Sequence, residues 1–188
     1  MRSPALPGTC VRGTPVLANG ARGCVPHLSW PLWAVPGGAS VRLSHNGFRV
    51  IDVGCGSGIL SIAAVKLGAV SALGVDIDAG SIVNARGNAE SNEVGDELIL
   101  EVGSVQEIRN GRFAFRKAPL VLANILAPVI VRLFDAGLAD LIENHGAIIL
   151  SGILQEQAQK VIEAGQTQGL KMTEKRQMGD WVALTMSR

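Results

Sequence analysis

The sequence has 188 residues, of which 47% are hydrophobic and 18% charged, and its formal net charge is +1. This length predicts one domain. The small net charge gives no electrostatic support for binding to nucleic acid or to an anionic membrane, and no apolar run reaches the roughly 18 residues that a spanning helix needs. The three cysteines have no paired spacing, which argues against a metal site or a disulfide framework and favours a cytoplasmic protein.

Residues 1–47 differ in composition from the rest of the chain. They contain most of the eight prolines, many of the glycines, Cys10 and Cys24, and they show little hydrophobic periodicity. We interpret this stretch as an irregular or disordered segment. It lacks the continuous apolar core of a signal peptide. Residues 48–188 are predicted to form the folded domain.

The stretch over residues 50–58 reads VIDVGCGSG and joins an apolar strand to three glycines at alternate positions. A largely apolar helix follows over residues 59–67 and ends at Gly68, and a second buried strand follows over residues 72–75. This order of strand, glycine loop, helix and strand is that of a βαβ unit. Because a glycine backbone lets a small molecule approach closely, the loop is a candidate ligand-binding corner.

Asp76 follows the second strand about twenty residues beyond the first glycine, where a carboxylate can accept hydrogen bonds from both hydroxyls of an adenosine ribose. The glycine spacing is G-x-G-x-G, one residue tighter than the G-x-G-x-x-G of dinucleotide sites. This form, with an acidic residue upstream, resembles the first motif of class I methyltransferases, which use S-adenosylmethionine (SAM). SAM carries a sulfonium cation and no phosphate, so acidic neighbours suit it. The candidate cofactor-binding residues here are Gly54, Cys55, Gly56, Asp76 and Ile77.

Two residues of this unit need a separate interpretation. Asp52 either contacts the ligand or accepts hydrogen bonds from local backbone N–H groups. Cys55 is not expected to act as a nucleophile, because none of the three histidines has a spacing that supports a catalytic dyad.

Polar residues also follow the third and fourth predicted strands. Ser104 either lies near the adenine or serves simple turn chemistry. Asn124 ends the fourth strand, beside the switch point where such sheets bind ligands, and Pro128 then fits the first turn of a helix. The Asn124 amide can accept a hydrogen bond from an amine and donate one to the cofactor, so it is the candidate catalytic residue and a further cofactor contact. Alternatively, Asn124 only closes the turn before the helix.

The remaining pattern alternates strands with helices and ends in a hairpin. We therefore expect an α/β fold, with a doubly wound, mostly parallel, seven-stranded Rossmann-like sheet and one antiparallel strand near its edge. The basic stretch over residues 111–117 is interpreted as a solvated loop rather than a nucleic-acid-binding patch. The predicted elements after the second strand are helix 79–92, strand 98–102, strand 120–123, helix 128–141, strand 147–150, helix 155–168 and strands 170–176 and 181–186.

Five segments resemble the PrmA family of ribosomal protein methyltransferases over about residues 48–188. The first motif is shared by many methyltransferases, whereas the later segments are together far more specific. The resemblance implies SAM as cofactor, a ribosomal protein of the large subunit as substrate, and lysine or N-terminal amines as methyl acceptors. The family's SAM contacts fall on Gly54, Asp76 and Asn124. The segments read VIDVGCGSGILSIAAVKLGA, GVDIDAGSIVNARGNAESN, VLANILAPVI, IILSGIL and GDWVAL.

The front of the sequence departs from that family. The family's separate N-terminal domain, which recognises the substrate, and its Gly-Thr-Gly-x-His loop are not evident in this sequence. Two alternatives therefore stay open: another class I N- or O-methyltransferase, and a truncated SAM-binding remnant without activity. The glycine spacing speaks against a nicotinamide-dependent oxidoreductase. We expect a ribosomal protein as partner, no direct nucleic-acid binding and no membrane association, and the oligomeric state stays open.

Overall fold

The computed structural model describes residues 47–188, so the interpretation of the preceding segment lies outside the described residues. Helices and strands alternate along the chain. The strands are β1 (Phe48–Val53), β2 (Ala69–Asp76), β3 (Leu98–Val102), β4 (Ala118–Asn124), β5 (Ile142–Leu154), β6 (Lys171–Met178) and β7 (Trp181–Ser187). The α-helices are α1 (Ile59–Lys66), α2 (Ala79–Ser91), α3 (Val105–Arg109), α4 (Ala127–Asp135) and α5 (Ala158–Thr167), and short 3₁₀ turns span Leu138–Leu141 and Gln155–Gln157.

The seven strands form one sheet in the order β3-β2-β1-β4-β5-β7-β6. The neighbours from β3 to β5 pair in parallel, whereas β7 pairs antiparallel with both β5 and β6. The predicted fold class is therefore confirmed, including the single reversed strand next to the edge. The strand order reverses between β1 and β4, and in such sheets the crevice for a ligand lies at the carboxyl ends of those two strands.

Successive side chains of each strand point to opposite faces, and both faces are buried near the middle of the sheet. Ile51 and Val53 of β1 pack with Phe134 of α4 in the larger core cluster. Val50 of β1 packs with Leu122 of β4 in a smaller cluster on the other face, which also holds part of α1. We call this second side the α1 face.

Three local features differ from the sequence predictions. Helix α3 was not predicted, because five residues are too few to show a helical period. The helix predicted over residues 128–141 ends at Asp135, because Gly137 adopts a φ of +96° and a 3₁₀ turn follows. The strand predicted over residues 147–150 is part of the longer β5, which contains an irregularity: Gly152 has a φ of +76°, and the register with β7 shifts between Leu150 and Ile153.

Candidate functional site

The loop between β1 and α1 is shaped by three glycines in the left-handed region. The φ angle is +71° at Gly54, +54° at Gly56 and +76° at Gly58, a conformation that costs other L-residues about 1–2 kcal/mol. The N–H groups of Gly54 and Cys55 both donate to the Val75 carbonyl oxygen, with N···O distances of 2.8 and 3.0 Å. The loop is therefore fixed against the end of β2.

The surroundings of the three glycines differ. A Cβ placed on Gly54 would lie 2.8 Å from Ile125 Cγ2, and one placed on Gly58 would lie 3.0 Å from Ala85 Cβ. A Cβ placed on Gly56 would meet no atom of the described residues within 4 Å. The first and third glycines thus allow close packing of protein, whereas the backbone at Gly56 borders open space, as a loop that receives a ligand requires.

Asp76 ends β2 and connects it to the glycine loop. Its Oδ2 accepts a hydrogen bond from the Gly56 N–H at 2.9 Å, and its Oδ1 accepts one from the Asp78 N–H at 3.0 Å. A carboxylate oxygen can accept two hydrogen bonds, so both Asp76 oxygens retain capacity for a hydroxyl donor. Asp78 caps α2 by accepting from the N–H groups of Gly80 and Ser81. The hydrogen bond from the Ser81 hydroxyl, and then these backbone hydrogen bonds, lower the pKa of Asp78.

An apolar surface lies beside Asp76. Ile77 is 80% exposed, and it shares a cavity of about 370 Å³ with Val102 and Ser104. Ser104 caps α3 through a capping box, in which its N–H donates to Glu107 Oε2 at 2.9 Å. The turn chemistry considered for Ser104 is therefore present, and its contact with an adenine stays a prediction. Two exposed aliphatic side chains at the ends of adjacent strands can pack against a planar ring.

Asn124 lies exposed at the carboxyl end of β4, in register with Ser151 of β5. It borders a second, larger cavity of about 850 Å³, together with Leu126 and Gly152. Its neighbour Ile125 touches the glycine loop, since Ile125 Cγ2 occupies the space where a Gly54 side chain would be. The structure thus brings Asn124 to the same edge of the sheet as the loop and Asp76.

Sequence reasoning missed Gly152, which makes room for Asn124. A Cβ placed on Gly152 would lie 3.0 Å from Asn124 Oδ1 and 3.1 Å from the Ile125 carbonyl oxygen. The positive φ of Gly152 also favours glycine at this position. The sequence signal is the Ser-Gly pair after a buried strand, a pair that commonly marks a turn.

Asp52 lies beneath the glycine loop and is 1% exposed. Its Oδ2 accepts a hydrogen bond from Ser61 Oγ at 2.6 Å, whereas its Oδ1 has no partner among the described residues. Burial raises the pKa of Asp52 to about 6, an effect that the hydrogen bonds from Ser61 oppose and the nearby Asp76 charge increases. Buried polar atoms are normally hydrogen-bonded, so the unpartnered carboxylate oxygen adds to the cost of ionising Asp52.

Cys55 is 7% exposed and packs in a small core cluster with Ile82 of α2. Burial, and then the charges of Asp52 and Asp76, raise the pKa of the Cys55 thiol to about 12. The thiolate is the nucleophilic form of cysteine, so this thiol is inert at neutral pH. Any contact of Cys55 with a ligand would come from its backbone.

Two further classes of site receive no support from the described part of the chain. Residues 47–188 contain no group of three or more His, Cys, Asp or Glu side chains that could hold a metal ion. No helix in the same range is long and apolar enough to cross a membrane.

Comparison with known proteins identifies a family. The sequence model described as "Ribosomal protein L11 methyltransferase (PrmA)" matches residues 40–188. A ribosomal protein L11 methyltransferase from Mannheimia succiniciproducens is 47% identical over 120 residues, which are 64% of this chain and 39% of that protein. One from Exiguobacterium sp. is 41% identical over 140 residues, which are 74% of this chain and 43% of that protein. The chain thus spans about two fifths of the length of these relatives.

Solved structures agree with this result. A ribosomal protein L11 methylase from Lactobacillus delbrueckii subsp. bulgaricus superposes with a TM-score of 0.66 and 33% sequence identity, covering 78% of this chain and 73% of that chain. A fibrillarin pre-rRNA processing protein from Methanococcus jannaschii superposes with a TM-score of 0.61 at 11% identity, covering 76% of this chain and 66% of that chain. The second likeness concerns the fold alone.

Proposed function

The chain belongs to the ribosomal protein L11 methyltransferase family, and on that premise we propose that it binds SAM and transfers the methyl group of SAM to amino groups of ribosomal protein L11. The acceptors are lysine side chains or the N-terminus. The same proposal assigns the protein to the cytoplasm and gives it a protein substrate rather than a nucleic acid. One observation carries the proposal: Asp76 holds the glycine loop through Gly56, at the edge of the sheet where Asn124 also lies.

The described residues fit SAM in three ways. The open space at Gly56 leaves room for the ligand against the loop backbone. Asp76 has capacity to accept ribose hydroxyls, and Ile77 offers an apolar surface for the base. Asp52, buried beneath the loop, adds a second carboxylate near the ligand space. Acidic side chains, rather than the anion site of a dinucleotide-binding loop, suit a cationic ligand.

Asn124 is the residue proposed to orient the methyl acceptor. When bound, SAM supplies a methyl group activated by its sulfonium. A lysine amine has a pKa of about 10.4 and must be neutral to attack. The Asn124 amide oxygen can accept one N–H of this amine and so hold the nitrogen lone pair towards the reacting centre. Arg176 is the only ionisable side chain among the described residues that line the larger cavity, so we assign the acceptor proton to solvent water.

Titration calorimetry with SAM tests the cofactor assignment. We expect Asp76→Ala to abolish SAM binding, because it removes the ribose acceptor and releases the Gly56 N–H. Asp76→Asn keeps a hydrogen-bond acceptor for that N–H but loses the charge, so its affinity should be intermediate. Asp180→Ala is the matched control, since Asp180 is an exposed carboxylate in the β6–β7 turn. Normal affinity in folded Asp76→Ala, with folding checked by circular dichroism, would refute the assignment.

A methyl-transfer assay with labelled SAM tests the activity separately. Ribosomal protein L11 is the substrate, and a total ribosomal protein mixture shows which protein takes the label. We expect label on L11 and a large loss of transfer in Asn124→Ala with SAM affinity little changed. Intact SAM binding without transfer to any ribosomal protein would instead favour a SAM-binding protein without this activity.

A further inference from the structure

The candidate site has two sides, which come from different strands. The glycine loop follows β1, whereas Asn124 ends β4. The backbone pairing of these two strands ends at Asp52 and Leu122. Beyond that pair the two strands lead into different segments, as strands do at a switch point. The distance between the loop and Asn124 therefore depends on the side chains that lie between them.

Ile125 lies between the two sides. A Cβ placed on Gly54 would lie 2.8 Å from Ile125 Cγ2 and 3.8 Å from Ile125 Cδ1. The Ile125 side chain is half-buried and packs against the larger core cluster, and it lines the larger cavity together with Asn124. Ile125 thus contacts the glycine loop with its side chain, and its backbone continues directly from Asn124.

The backbone that carries Asn124 and Ile125 is fixed by β5. The Ile125 N–H donates to the Ser151 carbonyl oxygen at 3.2 Å. Gly152 packs on the same backbone, since a Cβ placed there would lie 3.1 Å from the Ile125 carbonyl oxygen and 3.2 Å from the Ile125 nitrogen. The loop is fixed in turn by its hydrogen bonds to the end of β2. The Ile125 side chain therefore connects two parts that are each held by hydrogen bonds.

Isoleucine suits such a contact because it is branched at Cβ. Its Cγ2 is bonded directly to Cβ, so one torsion angle places this atom, and the branch restricts that angle. Leucine carries its branch one bond further from the backbone, so two torsion angles place its methyl groups. The position of Ile125 Cγ2 relative to the backbone that also carries Asn124 is therefore well defined.

From these observations we propose that Ile125 is a positioning residue for methyl transfer, which sets the spacing between the glycine loop and the Asn124 amide. This role rests on the proposed function, in which the loop holds the methyl donor and Asn124 orients the acceptor amine. Reacting atoms must approach to about 3–3.5 Å, and a displacement of about 1 Å can slow a reaction about 100-fold. Ile125 thus acts on the rate of transfer, whereas the loop and Asp76 decide SAM affinity.

Two substitutions of Ile125 separate this role from simple packing. Ile125→Val keeps Cγ2 and loses only Cδ1, whereas Ile125→Leu keeps the volume and loses the branch at Cβ. We expect the single-turnover rate with ribosomal protein L11 to stay near the parent value in Ile125→Val and to fall about tenfold in Ile125→Leu. SAM affinity, measured by calorimetry, should stay near the parent value in both. A residue that only fills space would give the opposite order of rates, because leucine conserves the volume.

The contact with the loop can be measured without the cofactor. Gly54→Ala directs a methyl group at Ile125 Cγ2, so it should lower the urea midpoint of unfolding further in the parent chain than in the Ile125→Ala chain, where Cγ2 is absent. The backbone strain at Gly54 is the same in both chains and cancels in this comparison. Circular dichroism checks that each variant is folded.

The effect on Asn124 can also be measured without the cofactor, by NMR. The side-chain amide resonances of Asn124 are identified by their loss in Asn124→Ala. We expect them to shift in Ile125→Leu and to stay in place in Ile125→Val. Ile99→Leu is the matched control, because Ile99 is half-buried on β3, packs against the same core cluster and lines neither cavity. It should change neither these resonances nor the rate of transfer.

Three results would overturn this role of Ile125. The first is an equal rate of transfer in Ile125→Val and Ile125→Leu. The second is a SAM affinity that falls as far as the rate in Ile125→Leu, which would make Ile125 a cofactor contact. The third is an equal effect of Gly54→Ala on the urea midpoint in the parent and Ile125→Ala chains.

Failure of the proposed function would look different. The parent chain itself would then bind no SAM or transfer no methyl group, and the role of Ile125 in transfer would fall with that function. A parent chain that transfers the methyl group, together with equal rates in the two Ile125 variants, would refute the positioning role alone.

Discussion

The two ends of the candidate site are built in different ways. The end formed by β1 and β2 comes from one continuous stretch, residues 50–78, and it is held by short hydrogen bonds from the glycine loop to Val75 and Asp76. The end formed by β4, β5 and β7 joins strands that are distant in sequence, and its surface is mainly apolar. Hydrogen bonds fix the first end, whereas the second borders a mainly apolar cavity of about 850 Å³.

This difference separates what each end contributes. Polar groups with fixed partners define a ligand's position, so the β1–β2 end is suited to hold a cofactor. The β4–β5 end offers an apolar surface together with the Asn124 amide, which suits it to position a methyl acceptor. We therefore expect substitutions at the first end to change cofactor binding, and those at the second end to change transfer.

The largest expected effect on stability comes from Asp52. Its pKa is raised from 3.8 to about 6 in the folded protein, so the folded state binds the proton more tightly than the unfolded state does. The stability that this proton contributes is fully present below pH 4 and is lost as the pH rises through about 6. At about 1.4 kcal/mol per pKa unit, ionised Asp52 costs about 3 kcal/mol at pH 7.

Asp52→Asn removes this titration and can still accept a hydrogen bond from Ser61. We expect the free energies of unfolding of Asp52→Asn and the parent chain to agree near pH 4, and the variant to be more stable by about 3 kcal/mol at pH 7. Urea titrations at several pH values measure the difference. Asp96→Asn, an exposed carboxylate, is the control. A difference that does not change with pH would contradict the burial of an ionisable Asp52.

The next effect concerns the loop itself. Gly54→Ala places a methyl group in the left-handed region and 2.8 Å from Ile125 Cγ2. The loop must then move away from β4, and we expect SAM affinity to fall about 100-fold, which corresponds to about 2.7 kcal/mol. Calorimetry measures this loss.

Gly87→Ala is the matched control for the loop substitution. Gly87 lies exposed in α2, and a Cβ there meets no described atom within 4 Å. This variant should bind SAM normally and be more stable by about 0.5–1 kcal/mol, because alanine favours a helix over glycine. Equal SAM affinities for the two alanine variants would show that the shape of the loop does not decide cofactor binding.

The same contrast explains what the sequence could predict. The glycine loop and Asp76 could be predicted from the sequence because strand, loop, helix and acid follow one another at a characteristic spacing. Asn124 could be predicted as a site residue because it ends a buried strand. The pairing of Asp52 with Ser61 was not, because a sequence pattern gives no burial and no orientation for either side chain.

The β4–β5 end was harder to predict for a physical reason. Glycine is needed at position 152 because β5 lies beside β4 and brings the Cα of Gly152 close to Asn124, a contact that no local pattern encodes.

Helix α3, outside that end, was missed because its stability comes from the Ser104–Glu107 capping box and from burial of Val105 and Ile108, rather than from a periodic pattern.

The smallest effect should separate packing around Asn124 from backbone strain. Gly152→Ala and Gly169→Ala both place a side chain at a positive φ, +76° and +82°, and each should cost about 1 kcal/mol of stability. A Cβ on Gly169 meets no described atom within 4 Å, whereas one on Gly152 lies 3.0 Å from Asn124 Oδ1. We expect Gly152→Ala alone to slow methyl transfer, by about tenfold, through displacement of the Asn124 amide. Its SAM affinity should stay normal, since the glycine loop and Asp76 are untouched. If single-turnover rates fall equally in both variants, backbone strain rather than the position of Asn124 accounts for the loss. The division between an end that binds the cofactor and an end that supports transfer would then not hold at Gly152.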